Sequence, residues 1–345
     1  MTIKLIESEY ENIIKVLGSG LENLKNKSIL ITGSNGLIAS YLIDFLIYLN
    51  SHFYFDIKIH AMSRSAEKSE NRFGKNISNL FFIEQDLNKP FSLNIDCDYI
   101  VHAASNSHPV AFSQKPVETM KTNLLGTMNI LDSIKNLKTK FLYISTGEVY
   151  GNNTDGKAFT ENDLGYIDTK IARSCYPESK RAAETLCMSY SKEYDIHTNV
   201  ARLCYVYGPT ITEDNSRADA QFLRNALAND DIVMKSQGLQ RRTYCYVADA
   251  VSAIIFILLN GGFSEVYNIA NPDSIVSVKD YAETLAKISN VKLKFELPNE
   301  VEKSGFSKQA DSILDSSKLC NLGWKPQYDL KTGLLHTLTL KQRNK

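Results

Sequence analysis

Residues 28–39, SILITGSNGLIA, constrain this chain more than any other stretch. Ser28 to Thr32 is a short apolar run that reads as a buried strand. Gly33 and Gly36 then permit a tight turn and a close approach of backbone to a phosphate. Ala39 is small enough for the next helix to pack on the strand, and that helix turns its N-terminus to a pyrophosphate. A glycine pattern alone says little; between a strand and a helix it predicts dinucleotide binding.

The following segments repeat the alternation. Residues 57–62 (IKIHAM), 80–84, 99–104 (YIVHAA) and 141–145 read as strands, with a long helix predicted over 116–137. The fold class this predicts is α/β, a doubly wound parallel sheet of Rossmann type. The second strand ends in Ser63 and Arg64, with Lys68 nearby, where an acid would read the ribose of NAD. An arginine there pairs with a 2′-phosphate or stands solvated beside NAD, so the local chemistry leans towards NADP while NAD stays open. Asp86-Leu87 would bring a carboxylate to the adenine amino group. His102 and His108 lack acidic or cysteine partners at a useful spacing and read as loop and lining residues. Asn123 stands among apolar neighbours, either as a satisfied core amide or holding a water in a proton path.

The chemistry concentrates between Tyr143 and Lys180. Thr146 ends the fifth strand, where open parallel sheets place their reacting groups. Tyr176 and Lys180 are four apart, on one face of a helix predicted to begin at Tyr176 with Pro177 in its first turn. A free phenol titrates near roughly 10, and an adjacent ammonium brings it down. With the Thr146 hydroxyl on the same substrate oxygen, this trio can take a proton from an alcohol as a hydride leaves its carbon. Glu148, two residues past Thr146, is the fourth candidate.

Residues 3–24 carry isoleucines and leucines among charges and predict one or two amphipathic helices, a packing arm spanning 1–26. The dinucleotide domain with its catalytic residues is then 27–207, and 208–345 is mainly a smaller C-terminal substrate-binding lobe. Arg217, Arg241 and Arg242 are its cations able to clamp a diphosphate or carboxylate. Formal net charge is zero, which gives no sign of a nucleic-acid partner. Six scattered cysteines without a CxxC predict neither a metal site nor a disulfide framework and fit a reducing cytoplasm. The longest apolar runs are too short to span a bilayer.

Taken in order, TGSNGLIAS, DYIVHAAS, TNLLGT, ISTGEVYG, YPESK, RLCYVYGP, RRTYCYVADAV and LGWKP resemble the extended short-chain dehydrogenase/reductase superfamily, in its nucleotide-sugar epimerase/dehydratase branch. The likeness covers residues 27–330. It implies that Gly33, Asn35, Gly36, Leu37 and Ile38 cradle the pyrophosphate of a tightly held NAD(P), with Ala103, Ala104 and Ser105 beside it. It implies that Tyr176 is the acid/base, that Lys180 is its partner and a ribose ligand, and that Thr146 sits at the reacting sugar oxygen. Members oxidise a sugar hydroxyl, commonly at C4, and usually return the hydride later. Glu148 would serve the step at the neighbouring carbon. ISTGEVYG and ARSCYPESKRAAETLC also look like UDP-glucuronate decarboxylases, in which Arg217 would face the sugar carboxylate. A nucleotide-sugar or polyol oxidoreductase is a further alternative. The chain departs from the family at Gly147, at Tyr205 and in its N-terminal arm. The resemblance implies a nucleotide-activated sugar or polyol as substrate, and a role in polysaccharide precursor synthesis. It also implies a homodimer through the helices near 116–137 and 177–194, with Met120, Leu124, Leu131, Ala183, Leu186 and Tyr190 on the apolar face.

Overall fold

A computed structural model describes residues 2–93, 95–135, 137–152, 156–296 and 311–342. Its centre is a seven-stranded sheet. The strands are β1 (Ser28–Thr32), β2 (Lys58–Ser63), β3 (Leu80–Glu84), β4 (Tyr99–His102), β5 (Lys140–Thr146), β6 (His197–Leu203) and, later in the chain, Val266–Ile269. Every pairing in it is parallel. The chain starts in the middle at β1, runs outward to β3, then returns to the other side with β4, β5 and β6. That reversal opens a crevice at the carboxyl ends of β1 and β4, where Thr32 and His102 lie in register. The helices between these first six strands are α2 (Leu37–Phe53), α3 (Ala66–Phe73), α4 (Pro109–Gln114), α5 (Pro116–Ile134) and α6 (Cys175–Tyr194). All five residues of β1 are buried, as its unbroken apolar run requires.

The N-terminal arm is α1 (Thr2–Leu17) followed by a 3₁₀ turn to Leu24. It buries Tyr10, Ile13, Leu17, Leu21 and Leu24 in the main core. After β6 come β7 (Tyr205–Tyr207), α7 (Ala218–Ala228), β8 (Ile232–Met234), β9 (Arg241–Tyr246) and α8 (Val247–Asn260). The seventh sheet strand, β10 (Val266–Ile269), then pairs with β6, so the chain returns to the large sheet after entering the region beyond 208. The remaining elements are β11 (Ile275–Ser277), α9 (Val278–Ser289), β12 (Leu293–Phe295), α10 (Ser317–Asn321) and α11 (Leu330–Lys341). They build two small sheets, β11-β9-β7 and β12-β8, beyond the carboxyl edge.

Two helix boundaries differ from the sequence expectation. α5 stops at Ile134 rather than 137, and α6 begins at Cys175, which puts Pro177 third in the helix. A proline is tolerated there because the first N–H groups of a helix have no partner within it. Of the six residues expected on an outward apolar face, Leu131 and Ala183 instead pack into the core between α5, α6 and the sheet. Met120 is exposed, whereas Leu124, Leu186 and Tyr190 are half-buried.

Candidate active site

A cavity of about 1180 Å³ lies at the carboxyl edge of the sheet, under α7, β8 and β9. Its floor is the glycine turn. Gly33 has φ +70°, and a Cβ there would stand 2.8 Å from Ala104 Cα. The turn is closed by Gly36 N–H donating to Gly33 O at 2.8 Å. Asn35, Gly36, Leu37 and Ile38 line the same wall, and Ala103, Ala104 and Ser105 face them. Further along come Ser63, Arg64 and Lys68, then Asp86 and Leu87. Two polar atoms on this wall are buried without a partner, Asn35 Oδ1 and Asn88 Oδ1. A glycine cradle flanked by unpaired acceptors fits a dinucleotide, whose phosphates suit the turn and whose hydroxyls supply the missing donors.

The second half of the cavity holds the candidate reacting groups. Thr146, Glu148, Tyr176 and Lys180 all line it. Tyr176 is buried with its ring stacked 4.4 Å from Phe112. Burial and the Glu148 charge push its phenol up to about 12, against a Thr146 hydrogen bond and the Arg217 and Arg173 charges, which pull it down. Lys180 Nζ donates to Ile144 O at 2.7 Å and lies 4.5 Å over the Tyr143 ring. Burial lowers its ammonium to about 7, partly offset by Glu184. Glu184 accepts from Ser145 Oγ and is paired with Arg202 at 2.7 Å.

Glu148 accepts from Arg173 Nη2 on both oxygens, at 3.0 and 2.8 Å. Arg173 also lies 4.5 Å over the Phe112 ring. Neither Arg173 nor Phe112 stands out in the sequence; Arg173 is marked only by its place three residues before Tyr176. On the lobe side, Arg217 Nε donates to Asn215 Oδ1 at 3.4 Å, and Arg242 stacks 4.4 Å over Tyr205. Both cations line the cavity. Arg241 does not: it is turned outward into a 2.8 Å pair with Asp311.

Asn123 is likewise absent from the wall. It is fully buried and donates to Ser179 Oγ at 2.9 Å, with its own Oδ1 unpaired. His102 is a core residue between Thr32 and Thr127, and burial drops its imidazole to about 3. His108 lines the cavity and bonds Ser216 Oγ at 3.2 Å. Among the described residues no group of three or more His, Cys, Asp or Glu is placed to hold a metal ion.

Residues 29–270 match the model of the NAD dependent epimerase/dehydratase family. The chain belongs to that family. It is an enzyme of the epimerase/dehydratase type, within the short-chain dehydrogenase/reductase superfamily. UDP-glucuronic acid decarboxylase 3 of Arabidopsis thaliana is 32% identical over 309 residues, covering 90% of this chain and 87% of that one. Among solved structures, UDP-glucose 4-epimerase of Thermotoga maritima superposes with a TM-score of 0.77 at 23% identity, covering 92% of this chain and 99% of that one. UDP-glucuronic acid 4-epimerase of Bacillus cereus gives 0.76 at 24%, covering 92% and 100%. These two share the fold of this epimerase/dehydratase, including the doubly wound sheet that frames its cavity.

Proposed function

We propose that this epimerase/dehydratase acts on a nucleotide-activated sugar or polyol, oxidising a hydroxyl, at C4 in a sugar, and then working on the neighbouring carbon. The observation that carries this is the grouping of Thr146, Tyr176 and Glu148 on one wall of a cavity that continues to the glycine turn. When bound, a nicotinamide dinucleotide accepts the hydride from the substrate carbon. Tyr176 takes the hydroxyl proton, Thr146 holds the same oxygen, and Arg217 and Arg173 favour the phenolate. The new ketone acidifies the adjacent C–H, and Glu148 is the carboxylate nearest the phenol's side of the cavity able to receive that proton. Arg242 and Arg217 supply positive charge for the diphosphate or for an acid group of the sugar.

A second reading, decarboxylation of a nucleotide uronic acid, is favoured by Arg217 at the cavity and by the decarboxylase relative. Mass spectrometry of a mixed nucleotide-sugar pool in D2O separates the two. Loss of carbon dioxide identifies the decarboxylase. Loss of water, or an isomer carrying deuterium, identifies chemistry at the adjacent carbon through Glu148. No change in any pool member would overturn both.

The cofactor is a tightly held NAD(P), and the side chains at its adenosine end favour NADP over NAD. Ser63, Arg64 and Lys68 line that end of the cavity, and among the described residues the acid on that stretch of wall is Asp86, past β3. Arg64 is held by Glu118 at 2.9 Å but is exposed, so a phosphate dianion competes for it readily. Calorimetric titration with each dinucleotide tests this; tighter binding of NAD would refute it. The enzyme is further proposed to be a cytoplasmic homodimer in polysaccharide precursor synthesis. No helix among the described residues is long and apolar enough to cross a membrane.

A further inference from the structure

One side chain bonds Glu148 directly and reaches Tyr176 through the Phe112 ring. Arg173 sits on the short 3₁₀ turn Ala172–Ser174 that leads into α6. Its Nη2 donates to both oxygens of Glu148, and its guanidinium plane covers Phe112, whose ring in turn stacks on Tyr176. Arg173, Phe112, Glu148 and Tyr176 therefore form one packed set, each lining the cavity.

We propose that Arg173 is a positioning residue for the second half-reaction: it holds the Glu148 carboxylate in place beside Tyr176, so that Glu148 acts as a proton acceptor toward the substrate carbon. This rests on the reading above, in which the first oxidation leaves a ketone next to that carbon. In the step, the C–H bond breaks and a Glu148 O–H bond forms. The electron pair moves into the new C–C double bond, and the carbonyl pair moves onto the oxygen held by Thr146 and Tyr176. Nothing is oxidised or reduced in this step.

Arg173 fixes the carboxylate by geometry: its Nη2 bonds both Glu148 oxygens while its guanidinium is itself held on the Phe112 ring that stacks on Tyr176. Without it, the Glu148 carboxylate loses both of these bonds and its fixed direction beside Tyr176. The ion pair is partly exposed, with side chains about one-third and one-quarter accessible, so substrate can still reach the carboxylate. Both Glu148 oxygens use one and the same nitrogen of Arg173, which leaves their remaining lone pairs for a substrate hydrogen.

Arg173→Met, Arg173→Lys and wild type are compared on whichever nucleotide sugar wild type converts in D2O. Circular dichroism and dinucleotide titration check that fold and cofactor binding are intact. The expected result is a fall of about 100-fold in kcat and in deuterium incorporation for Arg173→Met, with KM changed little. Arg173→Lys recovers much of the loss. A raised KM with unchanged kcat would make Arg173 a substrate clamp and overturn the proposal, as would deuterium incorporation in Arg173→Met at the wild-type rate. Loss of carbon dioxide by wild type would also overturn it. If wild type converts no nucleotide sugar at all, the functional reading fails, and the proposal with it. If Arg173→Met fails to fold, Glu148→Gln tests the same step: the proposal requires it to lose deuterium incorporation, and retention would refute it.

Discussion

The proposed chemistry turns most on Tyr176. Its phenol is buried, stacked on Phe112 and pushed up to about 12. Positive charge favours its phenolate, and Arg217 and Arg173 pull it in that direction. Tyr176→Phe keeps the ring and the stacking and removes only the proton acceptor. We expect turnover to fall by about 100- to 10,000-fold, with dinucleotide affinity within a few-fold of wild type. Turnover near the wild-type rate would remove Tyr176 from the mechanism. His102 leads to a separate expectation about pH. Burial holds it neutral in the folded protein, down to about 3 from an ordinary 6.5. Between those values only the unfolded chain takes up the proton, so His102 costs stability as the pH falls through that window. Asp249, raised to about 7 by burial, acts in the opposite sense over part of the same range. The comparison is therefore His102→Asn against wild type at each pH. Their difference in urea midpoint should narrow or reverse from pH 6.5 toward 3; a constant difference would mean that His102 does not titrate there.

At the scale of elements, α1 is tied to the body by one carboxylate. Glu9 is fully buried and accepts from Tyr41 on α2, Tyr246 at the end of β9 and His336 on α11. α2 begins at the glycine turn and β9 carries the cavity cation Arg242, so one side chain joins elements from both halves of the cavity. Glu9→Ala leaves two buried phenols and the part-buried His336 without their partner and should cost about 3–5 kcal/mol, read from urea unfolding, with Glu9→Gln milder. A loss under about 1 kcal/mol would show that the donors find other partners. The sequence announces the helices of the arm, because isoleucines and leucines recur at helical spacing. It does not announce Glu9, which looks like any of its charged neighbours until Tyr246 is brought against it. The same contrast holds across the molecule. β1 to β5 are readable as apolar runs separated by a turn or helix signals. β7, β8, β11 and β12 span only three residues each and carry no periodicity to read. Thr146, Glu148, Tyr176 and Lys180 share one stretch and could be found together. The Arg173–Glu148 pair joins positions 25 apart, and nothing in local spacing requires it.

At the scale of the whole molecule, the open question is what covers α5 and α6. They pack against each other through Ile130, Leu131, Ala183 and Cys187 and turn that face to the sheet. What remains outside is Val117 at 64% and Met120 at 38% exposure, with half-buried Leu124 and Leu186. Tyr190 is held on that side by a 2.9 Å hydrogen bond to Asp132. A second copy laid on this face would form a four-helix contact, and a stable one must bury at least about 1,000 Å². The face has a direct link to function. α6 carries Tyr176 and Lys180, and Asn123 of α5 bonds Ser179 between them. A partner helix pair would therefore stiffen the two elements that set the reacting groups. Light scattering after size exclusion should give about twice the 38.8 kDa of one chain. Met120→Glu with Leu124→Glu should then give one chain's mass, because burying two carboxylates in an apolar contact costs more than that contact gains. If the dimer stiffens the site, the monomeric double variant loses turnover while keeping its dinucleotide affinity, since the glycine turn lies on β1 and α2, away from this face. A wild-type mass of one chain would end the proposal, whereas a dimer untouched by both glutamates would move the interface to another surface.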